Sequence, residues 1–534
     1  MALRILAASL TLLLATPSMA QDGHASHAGH DGPNKLGKVA FANSCAASVQ
    51  EDFTRAVAML HSFWYSAAEP SFRDVLAKDP ACGIATWGIA AILMNNPLAG
   101  VGAGPREAER AQAALEQGRR IGAGTQRERD YIEAVGAYYR DFATRPEQAR
   151  QQSRAEAFTA LAARYPDDDE AQIFSALYIA GTQSQAEQTF SAYRKAAAIL
   201  EPMFARYPDH PGVAHYLIHV YDAPPLAAEG QTAARRYAAI APDAPHALHM
   251  PSHIFTRIGA WQESVATNRR AYQAAIHGGE LGEAYHASDY AVYADLQMAR
   301  DADAASDMTD AFNVKVGAPQ PFIVAYPSAA MPARYALERG DWQAAANLVP
   351  PNAGPPYTES ITWFARALGA ARTGDVAAAE KATSEITARQ KALVEAGNAY
   401  WAREVDVQQR AATAWTAFAQ GQTDEGLKLM RQAADLEDAN EKHIVTPGRV
   451  LPARELLGDM LLEARQPAAA LREYKASQAR EPNRFRGYLG AARAAEEAGD
   501  REKAAKSYEQ LLALAKDAGS ERPELTRARA YILR

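Results

Sequence analysis

The C-terminal part of the chain copies itself at a period of 34 residues, and that period restricts the fold more than any other feature. Gly458 and Ala492, Ala470 and Ala504, and Tyr474 and Tyr508 are each 34 residues apart. Small residues at fixed positions let two helices approach closely, and a proline such as Pro482 stops the second helix before the next unit begins. The same grammar returns along the chain. Ala68, Phe72, Val75 and Pro80 have the small–aromatic–aliphatic–proline spacing of a second helix and its stop. Gly259-Ala-Trp261, Gly340-Asp-Trp342, Gly374-Asp375 and Gly499-Asp500 read as turns between paired helices, while Arg164-Tyr-Pro166 and Arg206-Tyr-Pro208 read as unit ends. About ten such helix pairs fit between residues 41 and 534.

A 34-residue unit of two helices resembles the tetratricopeptide repeat (TPR). The expected fold is therefore all-α, a TPR-like α-solenoid in which helix pairs stack into a right-handed superhelix with a concave groove. Composition agrees: alanine is abundant while valine and isoleucine are sparse, which favours helix over strand. A chain that is 48% hydrophobic and 22% charged is globular rather than disordered. Its net charge of −7 argues against a nucleic acid or an anionic membrane as partner. Two prolines interrupt the pattern at Gly317 to Pro321, which divides the repeats into an N-terminal region, 41–316, and a C-terminal array, 317–534.

The first twenty residues read as a secretory signal peptide. Arg4 supplies the positive start, Ile5 to Ala15 the apolar run, and Ser18-Met-Ala20 the small residues of a cleavage site after Ala20. No later apolar stretch reaches the length of a membrane span. In a bacterium this address means the periplasm or secretion. An oxidising compartment favours a disulfide between Cys45 and Cys82, the chain's only two cysteines. Residues 21–40 then form a linker, and 21–33 lack any apolar residue larger than alanine. His24, His27 and His30 sit in it at intervals of three, so the tail reads either as an accessory metal-capturing tract or as a plain solvated linker.

Several segments are similar to a group of secreted bacterial TPR proteins. They are Leu60-His61-Ser-Phe-Trp64-Tyr65, Asp79-Pro-Ala-Cys82, Trp87-Gly88, His215-Tyr-Leu-Ile-His219 and His249-Met-Pro-Ser-His253-Ile-Phe. The resemblance implies architecture and export and leaves activity open.

Histidine is the residue type with an uneven distribution. Residues 41–534 hold ten histidines, and eight of them fall between 210 and 286, where even scatter would put fewer than two. His215 and His219 are spaced i, i+4 on one helical face, and His249 and His253 repeat that spacing 34 residues later. With Gly259 as the inter-helix turn, both pairs occupy groove-facing positions of a first helix, and His246 falls at another. Neighbouring first helices pack at ~8–10 Å, so imidazoles from both can converge on one ion. His286, Asp289 and Tyr293 have the offsets of His246, His249 and His253 if six residues are inserted. His286 joins the candidate ligands, while Asp289, Tyr293, Asp222 and His61 read as groups that orient ligands or pack beside them. His210 and His277 read as solvated loop residues, and His443 as partnerless.

A set of neutral imidazoles without thiolates suits copper, zinc, nickel or iron, with copper or zinc favoured in an exported chain. The chain has no His-Glu-x-x-His, no phosphate-binding loop and no Gly-x-Ser-x-Gly elbow. Gly100-Val-Gly102-Ala-Gly104 lacks the strand context of a nucleotide site. Two functional classes stand. One is a metal-binding solenoid, either a metal-handling protein or a metalloenzyme of unassigned reaction. The other is a non-enzymatic scaffold whose groove takes a peptide or protein partner through its imidazoles.

Overall fold

The computed structural model describes residues 35–317, 320–351, 354–519 and 522–534. The signal-peptide segment and the tail carrying His24, His27 and His30 lie outside the described residues. Among the described residues all regular structure is helical, and consecutive helices pack on one another in a TPR-like α-solenoid. Residues Lys35–Arg534 form one compact unit.

The turns show why the pairs form. Gly340, Gly374 and Gly499 take left-handed φ values of 67°, 84° and 76°. That conformation reverses the chain after a first helix at little cost for glycine. The aspartate that follows each then accepts the N–H that opens the second helix. Asp341 takes Ala344, Asp375 takes Ala378 and Asp500 takes Lys503, at 3.0–3.1 Å. Each cap of this kind contributes about 1 kcal/mol. Helices Glu147–Arg164 and Ser191–Arg206 end two residues before Pro166 and Pro208, which cannot continue them.

The small positions of the repeat are contact points. A Cβ on Gly458 would sit 2.6 Å from the ring of Tyr474, and one on Gly490 would sit 2.2 Å from it. The aromatic of one second helix thus lies over glycines of two successive first helices, which sets the stacking distance. Gly88 has the same relation to Phe72.

The array closes on itself. The Trp261 indole donates to the Asn483 carbonyl at 2.7 Å, and Arg522 pairs with Asp301. Helix Leu281–Gln297 packs against helix Phe485–Glu497. An irregular stretch around residues 441–449 also returns to the N-terminal half. There the Glu441 N–H meets the Gln185 carbonyl, Ile444 enters the N-terminal core, and His443 bonds the Ala99 carbonyl. This stretch therefore covers part of the N-terminal half.

Near the N-terminus, Cys45 and Cys82 are joined as a disulfide, their Cα atoms 4.7 Å apart. Among the described residues no helix is long and apolar enough to cross a membrane.

Candidate metal centre

Three structural units deliver six imidazoles to one place. Helix Pro211–Tyr221 carries His215 and His219. The next first helix runs as Pro245–His249 and Pro251–Arg257, joined through Met250 in helical conformation. Pro251 lacks the N–H that would continue the ladder, yet the helical path holds, so His246, His249 and His253 stay on one side. Helix Leu281–Gln297 adds His286. The potential ligand atoms group as His215, His219 and His246, and as His249, His253 and His286, each trio lying within 4.8 Å.

All six rings are buried. This corrects the expectation of histidines lining an open groove. Phe63 stands against His215, His219 and His246, at 4.4–5.9 Å between ring centres. Tyr290 lies edge-on to His249 and tilted beside His253, and its hydroxyl donates to the Thr446 carbonyl at 3.1 Å. Lys442 reaches Asp222 from the same covering stretch.

The hydrogen bonds around the rings fix which nitrogen carries the proton. His253 Nδ1 lies 2.8 Å from Asp222 Oδ2, His215 Nδ1 2.7 Å from the His61 carbonyl, and His246 Nδ1 3.1 Å from Glu283 Oε2. Each acceptor can only receive, so each Nδ1 donates. His249 Nδ1 lies 2.7 Å from Asn268 Oδ1, and the Asn268 amide is oriented by donating its own NH₂ to the Ser264 carbonyl. Four Nε2 atoms therefore present bare lone pairs to the interior. His249 Nε2 and His253 Nε2 face each other at 3.1 Å, and His215 Nε2 and His219 Nε2 do the same. The first of these contacts sets two lone pairs against each other, an arrangement that a cation between them relieves. His246 Nε2 and His219 Nδ1 are buried without a hydrogen-bond partner.

Electrostatics favour the neutral form of five of the rings. Burial, reinforced by the neighbouring imidazoles, holds His215, His219 and His249 well below the usual histidine range. Burial also lowers His253, although Asp222 opposes it, and pushes His286 down to about 3 against the pull of Glu283. Burial works against ionisation of Asp222, yet Lys442 and Arg257 keep its carboxylate charged. A neutral ring with its Nδ1–H held by a fixed acceptor is the form that binds a metal through Nε2.

A second buried histidine cluster makes the contrast. Glu170 offers one oxygen to His61 Nε2 at 2.9 Å and the other to His210 Nε2 at 3.0 Å. The other nitrogen of each ring is also satisfied, by the Tyr216 hydroxyl for His61 and by the Val213 N–H for His210. Every lone pair and proton in this set has a partner, so it is a complete hydrogen-bond network that joins three helical units.

Several sequence expectations change here. His210 is a buried helix cap. His443 is buried too, bonded to Ala99 and stacked on Trp401. His277 lies at the exposed end of helix Trp261–Gly278, not in a loop. His61 supports the centre through its backbone carbonyl. Asp289 is paired with Arg334 and Tyr293 with Arg484, so neither orients an imidazole. Tyr293 follows His286 on the same stripe but two turns on, ~10 Å along the axis. The residues that do orient or border the rings, beyond Asp222, include Glu283, Asn268 and Tyr290. Glu283 and Tyr290 stand at −3 and +4 from His286 on one face, a spacing visible in the sequence. Asn268 sits on the neighbouring second helix and has no such signal.

No family model and no curated protein matches the chain. Among solved structures it is similar to a tetratricopeptide repeat protein from Parabacteroides merdae, with 13% identity, 54% of this chain and 99% of that chain covered, and a TM-score of 0.29. The human IFIT1 dimer gives 12% identity, 80% and 90% coverage and a TM-score of 0.37. The APC/C hetero-tetramer Cut9–Hcn1 gives 12% identity, 89% and 95% coverage and a TM-score of 0.26. Overlaps of this size say nothing about what the present chain binds.

Proposed function

We propose that this is an exported TPR-like protein whose folded interior binds a transition metal, copper or zinc, through buried imidazoles. The observation that carries the reading is the Nε2···Nε2 contact of 3.1 Å between His249 and His253, whose Nδ1 hydrogens are already held by Asn268 and Asp222. A buried polar group without a partner costs ~1–3 kcal/mol, and the chain places several such nitrogens together. Metal coordination is the chemistry that satisfies the facing Nε2 atoms and the unpartnered His246 Nε2 at once. Metal handling and metal-assisted catalysis both remain within this reading.

A scaffold role for the solenoid surface, with a protein or peptide partner, is the second reading and rests on the repeat architecture. The buried imidazoles do not serve it as contact residues. Equilibrium dialysis of a variant lacking residues 21–33, against Zn²⁺ and against Cu²⁺ at pH 7, separates the two. Stoichiometric metal in the tail-less protein is the expected result. No metal at pH 7 overturns the metal reading and leaves the scaffold.

A further inference from the structure

Resting on that reading, we infer that the centre takes two ions, one in each histidine trio, and that the ions are copper in the cuprous state.

The first argument is geometric. Nitrogens that share one ion, at bonds of ~2.0–2.1 Å, can lie no more than about 4.2 Å apart. In this interior the six imidazoles do not form a single group of mutually close ligand atoms. The ligand atoms instead divide three and three.

The second argument is that each trio repeats the same internal geometry. One Nε2···Nε2 contact of 3.1 Å belongs to His215 and His219, the other to His249 and His253. Two nitrogens at that separation, each ~2.0–2.1 Å from an ion, subtend about 100° at it, close to a tetrahedral angle. His246 stands beside the first pair, with its Nε2 unpartnered, and His286 stands 4.1 Å from the His249 ring in the second. Each trio also has two rings whose Nδ1 is held by an acceptor: His215 and His246 in one, His249 and His253 in the other. The 34-residue repeat has produced two half-sites that share the same close Nε2···Nε2 pair, and the helix of His286 supplies the third ring of the second.

The third argument is charge. All six candidate ligands are imidazoles, which bring no negative charge to an ion. The carboxylates touching them are Asp222 and Glu283, and Asp222 is already paired with Arg257 and Lys442. Two divalent ions would leave a large uncompensated positive charge in a buried site, which is costly. Two monovalent ions leave far less. Among biological transition metals Cu(I) is the monovalent ion, and imidazole is a ligand type that suits copper.

The test uses the full chain with its disulfide intact, loaded anaerobically with Cu(I) against a chromophoric competitor, with a parallel arm in Zn²⁺. The expected result is two Cu(I) per chain and at most one Zn²⁺. His246→Gln and His286→Gln should each retain one Cu(I), and the double variant none, all with unchanged helical circular dichroism. The wild-type stoichiometry stands as a readout if a variant fails to fold. One Cu(I) in the wild type, or loss of all copper in either single variant, overturns the pairing. Two Zn²⁺ bound as tightly as copper overturns the assignment of the cuprous ion. No metal of either kind overturns the metal reading itself.

Discussion

Lys442 donates its ammonium to Asp222 at 3.2 Å, and the same carboxylate oxygen receives His253 Nδ1 at 2.8 Å. A residue of the C-terminal array thus completes the carboxylate that orients a histidine of the N-terminal repeats. Arg257 takes the other oxygen at 2.7 Å. Burial lowers Lys442 to about 8, and its contact with Asp222 offsets part of that effect.

Asp222→Asn should therefore act twice. It replaces the carboxylate that fixes the His253 tautomer with a neutral amide that can present either its oxygen or its NH₂, a change that typically weakens metal binding by roughly 10–100-fold. It also leaves Lys442 buried beside a neutral amide, while Arg257 keeps Glu441 as a partner, so the fold should lose up to about 3 kcal/mol. Dialysis and urea unfolding of the same variant check both effects. Unchanged metal affinity in a folded Asp222→Asn protein would remove Asp222 from the orienting role.

The repeat makes a separate prediction about packing. Gly490→Ala puts a methyl 2.2 Å from the Tyr474 ring, so it should destabilise the array by about 1–3 kcal/mol. Tyr474→Leu in the same chain should recover part of that loss. The double-mutant cycle measures the coupling, and strictly additive effects would contradict the contact.

How far the sequence speaks depends on whether a feature is local. The glycine–aspartate turns are local: Gly374 must reverse the chain and Asp375 must cap the next helix, and both residues announce it. The histidine pairs are legible because a 34-residue period carries His215 and His219 onto His249 and His253. Burial of the centre is not local, because it depends on Lys442 and Thr446 returning from a distant segment with no periodic pattern. The burial of His210 and His443 is illegible for the same reason, since a turn-like neighbourhood says nothing of what packs over it. Asp289 and Tyr293 match the histidine offsets only across a six-residue insertion, where the 34-residue period no longer holds. There the helix's own period, through Glu283, His286 and Tyr290, is the better guide.

The disulfide should matter for stability in proportion to the loop it closes. Cys45 and Cys82 are 37 residues apart, and cross-linking a loop of that size contributes ~3–4 kcal/mol through the unfolded chain. Replacing both with serine should lower the urea midpoint accordingly. In the unmodified protein, a maleimide under denaturing, non-reducing conditions should label no thiol. Two labelled thiols without reduction would show that the bond does not form.

Acid should weaken the metal-free fold through His443. Its Nε2–H donates to the Ala99 carbonyl at 3.2 Å and its Nδ1 accepts the Val445 N–H at 3.3 Å, so the ring is held neutral. Phe322, Tyr400 and Trp401 surround it. Burial pushes its pKa down to about 4, with Lys442 adding to the shift and the Ala99 carbonyl opposing it. The unfolded chain, near the ordinary value of about 6.5, takes up the proton first, so stability is full above that pH and falls as pH drops toward 4. By pH 5 this group alone costs about 2 kcal/mol relative to pH 7. Other buried imidazoles titrate in the same direction, so the measurement is a difference. Metal-free wild type and His443→Gln are unfolded in urea at pH 7, 6 and 5, and the wild type should lose about 2 kcal/mol more than the variant across that range. Parallel pH profiles for the two proteins would show that His443 is not held neutral by the fold.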